Sequence, residues 1–137
     1  MAGQVMNIVV AGLGGQGVLT ASDIIAAAAF AAGRDVKKAE VHGMSQRGGS
    51  VRTDVRFGAT PDAMVLSPMV TAGEADVLMV LAADQADVHR DVLRAGGALI
   101  TPEAIDADRL PHPRSLNVAM VGALSKVLDF DEATWRA

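Results

Sequence analysis

The stretch that decides the fold is residues 6–33, MNIVVAGLGGQGVLTASDIIAAAAFAAG. Residues 6–11 form an apolar run without alternation, which is typical of a strand buried on both faces. A glycine-rich turn follows, and residues 16–32 have a helical pattern that Gly33 would end as a C-terminal glycine. A strand, a glycine turn and a helix in this order predict the start of an α/β domain.

The rest of the sequence continues the alternation of strands and helices. Further strands are predicted at 36–41, 51–57, 76–82 and 98–101, with helices at 84–95 and 117–128. Apolar and polar residues alternate along 51–57, which predicts a strand near an edge of the sheet with one face in water or against another protein. The whole pattern predicts a single Rossmann-like, three-layer α/β domain over residues 1–137 with a mainly parallel sheet. Residues 131–137 have the pattern of the opening of one more helix, which predicts a missing or very short C-terminal segment, with a frayed tail as the other interpretation.

Composition narrows the possible functions. The sequence has 137 residues, a net charge of -4 and no cysteine. Without cysteine it has no thiolate nucleophile and no thiolate ligand for an iron–sulfur or zinc site. The negative charge does not favour nucleic acid or an acidic membrane, and the apolar run at 24–32 is shorter than the ~20 residues of a membrane span. These features predict a cytoplasmic protein that binds neither nucleic acid nor a membrane.

The three histidines, His42, His89 and His112, lack the spacing of metal ligands, so no metal site is predicted. His89 lies among polar residues of the expected 84–95 helix and is predicted to be solvated. His42 has a side chain suited to acid–base chemistry near neutral pH, and a structural hydrogen bond is the other interpretation.

The first glycine loop, residues 12–17 (GLGGQG), fits G-x-G-x-x-G between a strand and a helix. Unpaired amides and the helix dipole at such a turn favour a pyrophosphate, and Glu40 follows where a ribose-binding acid would be sought. A stand-alone NAD(P)-binding protein is therefore one hypothesis. Against it, Gln16 crowds the approach of a pyrophosphate, and the glycines also serve to pack the alanine-rich helix closely.

The second glycine loop lies within residues 42–51, HGMSQRGGSV. The guanidinium of Arg47, next to Gly48, suits a phosphate or carboxylate from a ligand or a neighbouring subunit. An internal bridge from Arg47 to Glu40 or Asp54 is the alternative. Arg52 and Arg56 in the following strand are either an interface patch or solvated charges paired with Asp54.

Two motifs in this order resemble a known family. Residues 12–19 (GLGGQGVL) and 40–51 (EVHGMSQRGGSV), followed by 55–58 (VRFG) and later by 117–128 (NVAMVGALSKVL), resemble the pyruvate/2-oxoacid:ferredoxin oxidoreductase family. The similarity is to its γ-type subunit or domain, and most of all to the small (beta) subunit of indolepyruvate:ferredoxin oxidoreductase. Asp54 departs from the less acidic residue expected there, and the 102–115 region looks shorter than in the family.

The resemblance implies a non-redox subunit that is inactive alone. Family enzymes oxidatively decarboxylate 2-oxoacids, here indolepyruvate or another aryl pyruvate, to acyl-CoA and reduce ferredoxin. Thiamine diphosphate, magnesium and the iron–sulfur clusters are expected in a larger partner subunit, with none bound by this chain alone. Whether coenzyme A contacts this chain, and whether the chain is a pure interaction module, both stay open.

No residue is assigned as catalytic, His42 being the one considered. The residues expected to line a cofactor site or subunit junction belong to the two loops: Gly14, Gly15, Gln16, Gly17, Gly43, Ser45, Gln46, Arg47, Gly48, Gly49 and Ser50.

Overall fold

Five strands and one long helix make up the part of the chain that a computed structural model describes, namely residues 5–13, 18–42, 50–60, 63–82, 86 and 89–102. The strands are β1 (Val5–Leu13), β2 (Val36–His42), β3 (Ser50–Gly58), β4 (Ala75–Val80) and β5 (Leu93–Ile100). The helix is α1 (Val18–Ala31), and a short 3-10 turn, Arg90–Val92, leads into β5. The segments predicted beyond residue 102, including the 117–128 helix, lie outside the described residues.

The strands form one sheet in the order β2-β3-β1-β4-β5. β1 runs parallel to β4, β4 runs parallel to β5, and β3 is antiparallel to both β1 and β2. Four strands therefore share one direction, which confirms the α/β class with a mainly parallel sheet. β3 is the second strand of the sheet, next to the edge strand β2, so it lies near an edge as predicted, but it pairs with a neighbour on both sides.

The apolar run of β1 is buried on both faces, as predicted. Ile8 and Val10 pack in the cluster that includes residues of α1, whereas Val9 packs in a second cluster on the opposite face. All three side chains are completely buried. A central strand needs this lack of alternation because neither of its faces meets water.

Helix α1 ends in a Schellman motif around Gly33. The amide of Gly33 donates to the carbonyl of Phe30 and the amide of Arg34 donates to that of Ala29, both at 3.0 Å. Gly33 has a φ of 81°, a left-handed conformation that a side chain would strain. The predicted C-terminal glycine of this helix is confirmed.

The connection from β3 to β4 covers the face of the sheet opposite α1. We call residues 63–74 the strap. Val70 of the strap packs in the cluster that includes Val9 and Leu78, and Arg56 donates to the carbonyl of Ser67 at 2.7 Å. At the start of the strap, the amide of Val65 donates to the Asp35 carboxylate at 2.8 Å. Side chains of the sheet and of the turn before β2 therefore hold the strap by its backbone.

A buried ion pair lies under the strap. Arg52 donates from Nε and Nη2 to the two carboxylate oxygens of Asp54, at 2.6 and 2.9 Å. The amide of Val70 donates to Asp54 at 2.8 Å, and Arg52 also donates to the carbonyl of Val70 at 3.1 Å. The Asp54 side chain is 0% exposed and that of Arg52 is 20% exposed. The polar face of β3 is therefore covered by the chain itself, and the prediction that it is wet or meets another protein is wrong.

The predicted 84–95 helix ends earlier than expected. Ala86 and His89 have helical backbone, but β5 already begins at Leu93 rather than at residue 98. Leu93 pairs with Ala75 at the start of β4, and Arg94 donates to the Asp76 carboxylate at 2.6 Å. Gly96, with a φ of 79°, lies where the β4–β5 register shifts. The bulge lets β5 extend by several residues, which a helical pattern does not reveal.

Replacing Asp54 by Ala should lower the free energy of unfolding by about 3 kcal/mol, because Arg52 loses its counter-ion and the Val70 amide loses its acceptor inside the protein. Urea unfolding followed by circular dichroism measures this. The matched control is Asp23→Ala, which removes a carboxylate that is 60% exposed and pairs with Lys38 on the surface. The control substitution should lower the free energy of unfolding by less than about 1 kcal/mol. Equal effects for the two variants would show that the buried pair does not hold the strap.

Candidate functional site

The two glycine loops begin and end at neighbouring strands. All of these strand ends lie at the same end of the sheet. The first loop follows Leu13 at the end of β1, and the second lies between His42 at the end of β2 and Ser50 at the start of β3. Leu13 pairs with Ser50, and His42 pairs with Val51. Adjacent strands lie about 4.8 Å apart, so these strand ends span about two strand spacings. The sheet therefore brings the ends of both loops together, although 28 residues of sequence lie between Leu13 and His42.

The other parallel strands, β4 and β5, also terminate at this end of the sheet. Val80 at the end of β4 pairs with Ala11, and the amide of Leu81 donates to the carbonyl of Ala11 at 2.8 Å. Ile100 at the end of β5 pairs with Met79. In open α/β sheets, ligands bind outside the carboxyl ends of the parallel strands. The fold thus places the strand ends that flank both loops where such a sheet has its site.

The loop residues themselves lie outside the described residues. This holds for Gly14, Gly15, Gln16, Gly17, Gly43, Ser45, Gln46, Arg47, Gly48 and Gly49. His42 and Ser50 are described as strand ends by their backbone alone. Their assignment to a cofactor site or subunit junction stays a prediction.

One of the internal partners considered for Arg47 is occupied. Both carboxylate oxygens of Asp54 accept hydrogen bonds from Arg52, one of them also from Val70, and the side chain is completely buried. Asp54 therefore leaves no place for a second guanidinium. Glu40, by contrast, lies on the edge strand β2 and is exposed. Arg52 is paired with Asp54 inside the chain, as the second of the two interpretations expected.

His89 lies beside this ion pair and is half-buried, so the prediction that it is solvated is wrong. Burial lowers the pKa of His89, and the positive charge of Arg52 lowers it further, while the carboxylates of Asp91 and Asp54 act in the opposite direction. The sequence could not indicate this, because Arg52 lies far from His89 along the chain. The described residues contain no group of three histidines and carboxylates that could hold a metal ion.

None of the helices in the described ranges has the length and apolarity needed to cross a bilayer.

Comparison with known proteins shows the family. Residues 7–137 match the family described as pyruvate ferredoxin/flavodoxin oxidoreductase. This match over most of the chain assigns it to the class of 2-oxoacid oxidoreductase domains. The chain belongs to the pyruvate ferredoxin/flavodoxin oxidoreductase family, which confirms the resemblance found in the two glycine motifs.

Two curated relatives carry the same name. The chain is 40% identical over 128 residues to indolepyruvate oxidoreductase subunit IorB of Archaeoglobus fulgidus, covering 89% of this chain and 60% of the relative. It is 45% identical over 95 residues to the IorB subunit of Thermococcus kodakarensis, covering 69% of this chain and 45% of the relative. The chain thus spans about half the length of these relatives.

Solved structures share the fold. A 2-oxoglutarate:ferredoxin oxidoreductase from Magnetococcus marinus, solved with 2-oxoglutarate, coenzyme A and succinyl-CoA, superposes with a TM-score of 0.75 at 23% identity, covering 96% of this chain and 26% of that one. The γ subunit of a keto/oxoacid ferredoxin oxidoreductase from Geobacter sulfurreducens gives 0.70 at 21% identity, covering 95% of this chain and 82% of that one. At these identities the likeness is one of fold.

The lowered pKa of His89 predicts a loss of stability in mild acid. In the unfolded chain this imidazole binds a proton near pH 6.5, whereas in the folded chain it binds one only at a lower pH. The free energy of unfolding therefore falls as the pH drops below about 6.5. Between pH 7.5 and 5.5, His89→Gln should lose less stability in urea unfolding than the wild type. In a nuclear magnetic resonance titration of the wild type, the His89 signal is identified as the imidazole signal that this variant lacks. That signal should titrate with a midpoint below pH 6.5. A midpoint at or above 6.5 would contradict the assignment.

Proposed function

We propose that this chain is a non-redox subunit of a thiamine-diphosphate-dependent 2-oxoacid:ferredoxin oxidoreductase, acting on indolepyruvate or another aryl pyruvate. The family match over residues 7–137, with 40–45% identity to two IorB subunits, is the observation that carries the proposal. The overall reaction breaks the bond between the carboxylate and the keto carbon, releases carbon dioxide, joins the acyl group to coenzyme A and transfers two electrons to ferredoxin.

The chemistry of the reaction belongs to a larger partner subunit. This chain has no cysteine to ligate an iron–sulfur cluster. Its described residues offer no cluster of carboxylates and histidines to hold the magnesium of a thiamine diphosphate. We therefore assign no step of the reaction to this chain. Its contribution is to complete the assembly.

The glycine loops are the part of the chain proposed to meet that partner or its ligands. Their ends lie side by side because Leu13 pairs with Ser50 and His42 pairs with Val51. Backbone amides of glycine-rich turns favour anionic groups, and Arg47 would add a guanidinium. We propose that the two loops act as one surface toward a phosphate or carboxylate, with coenzyme A as one candidate.

The alternative of a stand-alone NAD(P)-binding protein rests on the first loop and on exposed Glu40. The sheet order weighs against it. In a dinucleotide-binding fold, the strand that carries the ribose-binding acid lies beside the strand that leads into the glycine loop. Here β3 lies between β1 and β2, which moves Glu40 about two strand spacings, roughly 10 Å, away from β1. The third possibility, a pure interaction module, differs from the proposal only in whether the loops also touch a ligand.

Purification from the native host tests the proposal. A tagged copy of the full-length protein should bring down a larger subunit that contains thiamine diphosphate and iron–sulfur clusters, and the complex should reduce ferredoxin with indolepyruvate and coenzyme A. Recovery of the chain alone under conditions that keep complexes intact would contradict the proposal. Micromolar binding of NADH or NADPH by the isolated chain in calorimetry would favour the alternative.

The same complex tests the second loop. Arg47→Ala should lower its activity at least tenfold without releasing the subunit, since a lost charged hydrogen bond to a ligand has about this effect. Arg94→Ala is the matched control, because it removes a guanidinium that pairs with Asp76 away from the loop edge. Unchanged activity in the Arg47 variant would leave the loop as a structural turn.

A further inference from the structure

The side of the sheet that carries α1 is buried further than α1 itself extends. Val77 and Met79 of β4 are 1% and 0% exposed, and Ile100 of β5 is 8% exposed. All three belong to the cluster that contains Ile25 of α1, so they lie on the α1 side. The helix, however, packs chiefly on β1, β2 and β3. A helix about 10 Å wide covers about two strand spacings of roughly 4.8 Å, so β4 and β5 need a second cover.

The other described segments lie on the opposite side of the sheet. Val70 of the strap, and Ala86 and Val92 in the connection from β4 to β5, pack in the cluster of Leu78, which faces away from α1. Within the described ranges, no helix or connection other than α1 therefore covers the sheet on the α1 side. The cover of β4 and β5 belongs to residues outside those ranges or to another molecule.

One stretch of the chain outside the described ranges is long enough to be this cover. The internal gaps hold at most seven residues, at 43–49, whereas 35 residues follow residue 102. β4 has 6 residues and is therefore about 20 Å long. A helix of about 13 residues has that length at 1.5 Å per residue. The chain leaves β5, the strand beside β4, at Ile100, so residues 103–137 start next to the surface that needs a cover.

Residues 117–128 have the sequence pattern that such a cover needs. Lys126 falls on one side of the predicted helix, and a stripe of five apolar residues at helical spacing falls on the other. The stripe consists of Met120, Val121, Leu124, Val127 and Leu128. A helix that packs on a sheet and meets water on its outer side has one apolar stripe of this kind. At 1.5 Å per residue the segment is about 18 Å long as a helix, close to the length of β4.

We propose that residues 117–128 of this chain pack as a helix beside α1 and cover Val77, Met79 and Ile100. The occupant is the chain's own segment because the chain continues from β5, has the length to span β4 and carries the apolar stripe. The α1 side of β4 and β5 then belongs to the chain's own core and is closed to partners. Any contact with a larger subunit would use another surface.

Nuclear magnetic resonance of the isolated full-length chain tests the proposal, because a chain of 14.1 kDa is small enough for methyl assignment. The methyl groups of Met79 and Ile100 should show nuclear Overhauser contacts with Leu124 and Val127. The matched control is Val70, which is buried on the opposite side of the sheet and should show no such contact. A mixed sample of isotope-labelled and unlabelled chains distinguishes contacts within one chain from contacts between two copies.

A pair of substitutions gives a second measurement. Leu124→Asp should lower the melting temperature by at least about 8 °C, because it places a carboxylate between the segment and the apolar surface of the sheet. Lys126→Asp is the matched control, since it introduces the same side chain on the opposite side of the predicted helix. The control should shift the melting temperature by less than about 3 °C.

Three results would overturn the proposal. Contacts of Met79 and Ile100 with a second copy alone would assign the cover to a dimer. If a dissolved paramagnetic probe reaches these methyl groups in the isolated chain, the cover belongs to another subunit. Equal shifts of the melting temperature in the Leu124 and Lys126 variants would show that the apolar stripe is not buried.

Discussion

The position of β3, an antiparallel strand between β1 and β2, is the constraint on which the rest of the structure depends. Its register places Val55 and Phe57 toward α1, while Arg52, Asp54 and Arg56 face the strap. A slip of one residue would exchange the two faces and bury the charged side chains against the helix. The alternation along β3 therefore determines what packs on each of its faces. Apolar contacts hold α1 on one face, and hydrogen bonds hold the strap on the other.

Each consequence for function follows from this strand. Because β3 enters the sheet beside the end of β1, the strand ends that flank both glycine loops lie at one end of the sheet, where α/β sheets bind ligands. Because its polar face receives the strap, the β3–β4 connection becomes an ordered surface. Because β3 separates β2 from β1, Glu40 is moved away from the first loop. The position of this one strand thus weighs against a dinucleotide-binding protein.

Local sequence patterns predicted the elements but not all of their neighbours. The first four strands, the long helix and its end at Gly33 are confirmed, since each rests on periodicity or on one glycine, whereas β5 begins at Leu93 rather than at residue 98. The cover over the polar face of β3 was missed because a polar face is ordinarily interpreted as solvated. What covers it is Val70, whose contact with Asp54 spans 16 residues of sequence. The half-buried state of His89 was missed for the same reason. The loop residues, by contrast, were selected by family resemblance, and their contacts stay predictions.

Amide hydrogen exchange along β3 tests the central claim most directly. An interior strand donates alternately to its two neighbours, so every amide from residue 52 to residue 57 should exchange slowly, at rates set by opening of the sheet. An edge strand would protect only alternate amides, and the others would exchange within minutes. Uniform protection would support the placement of β3 between β1 and β2. An alternating pattern would contradict it, together with the pairing of the loop ends and the covered ion pair.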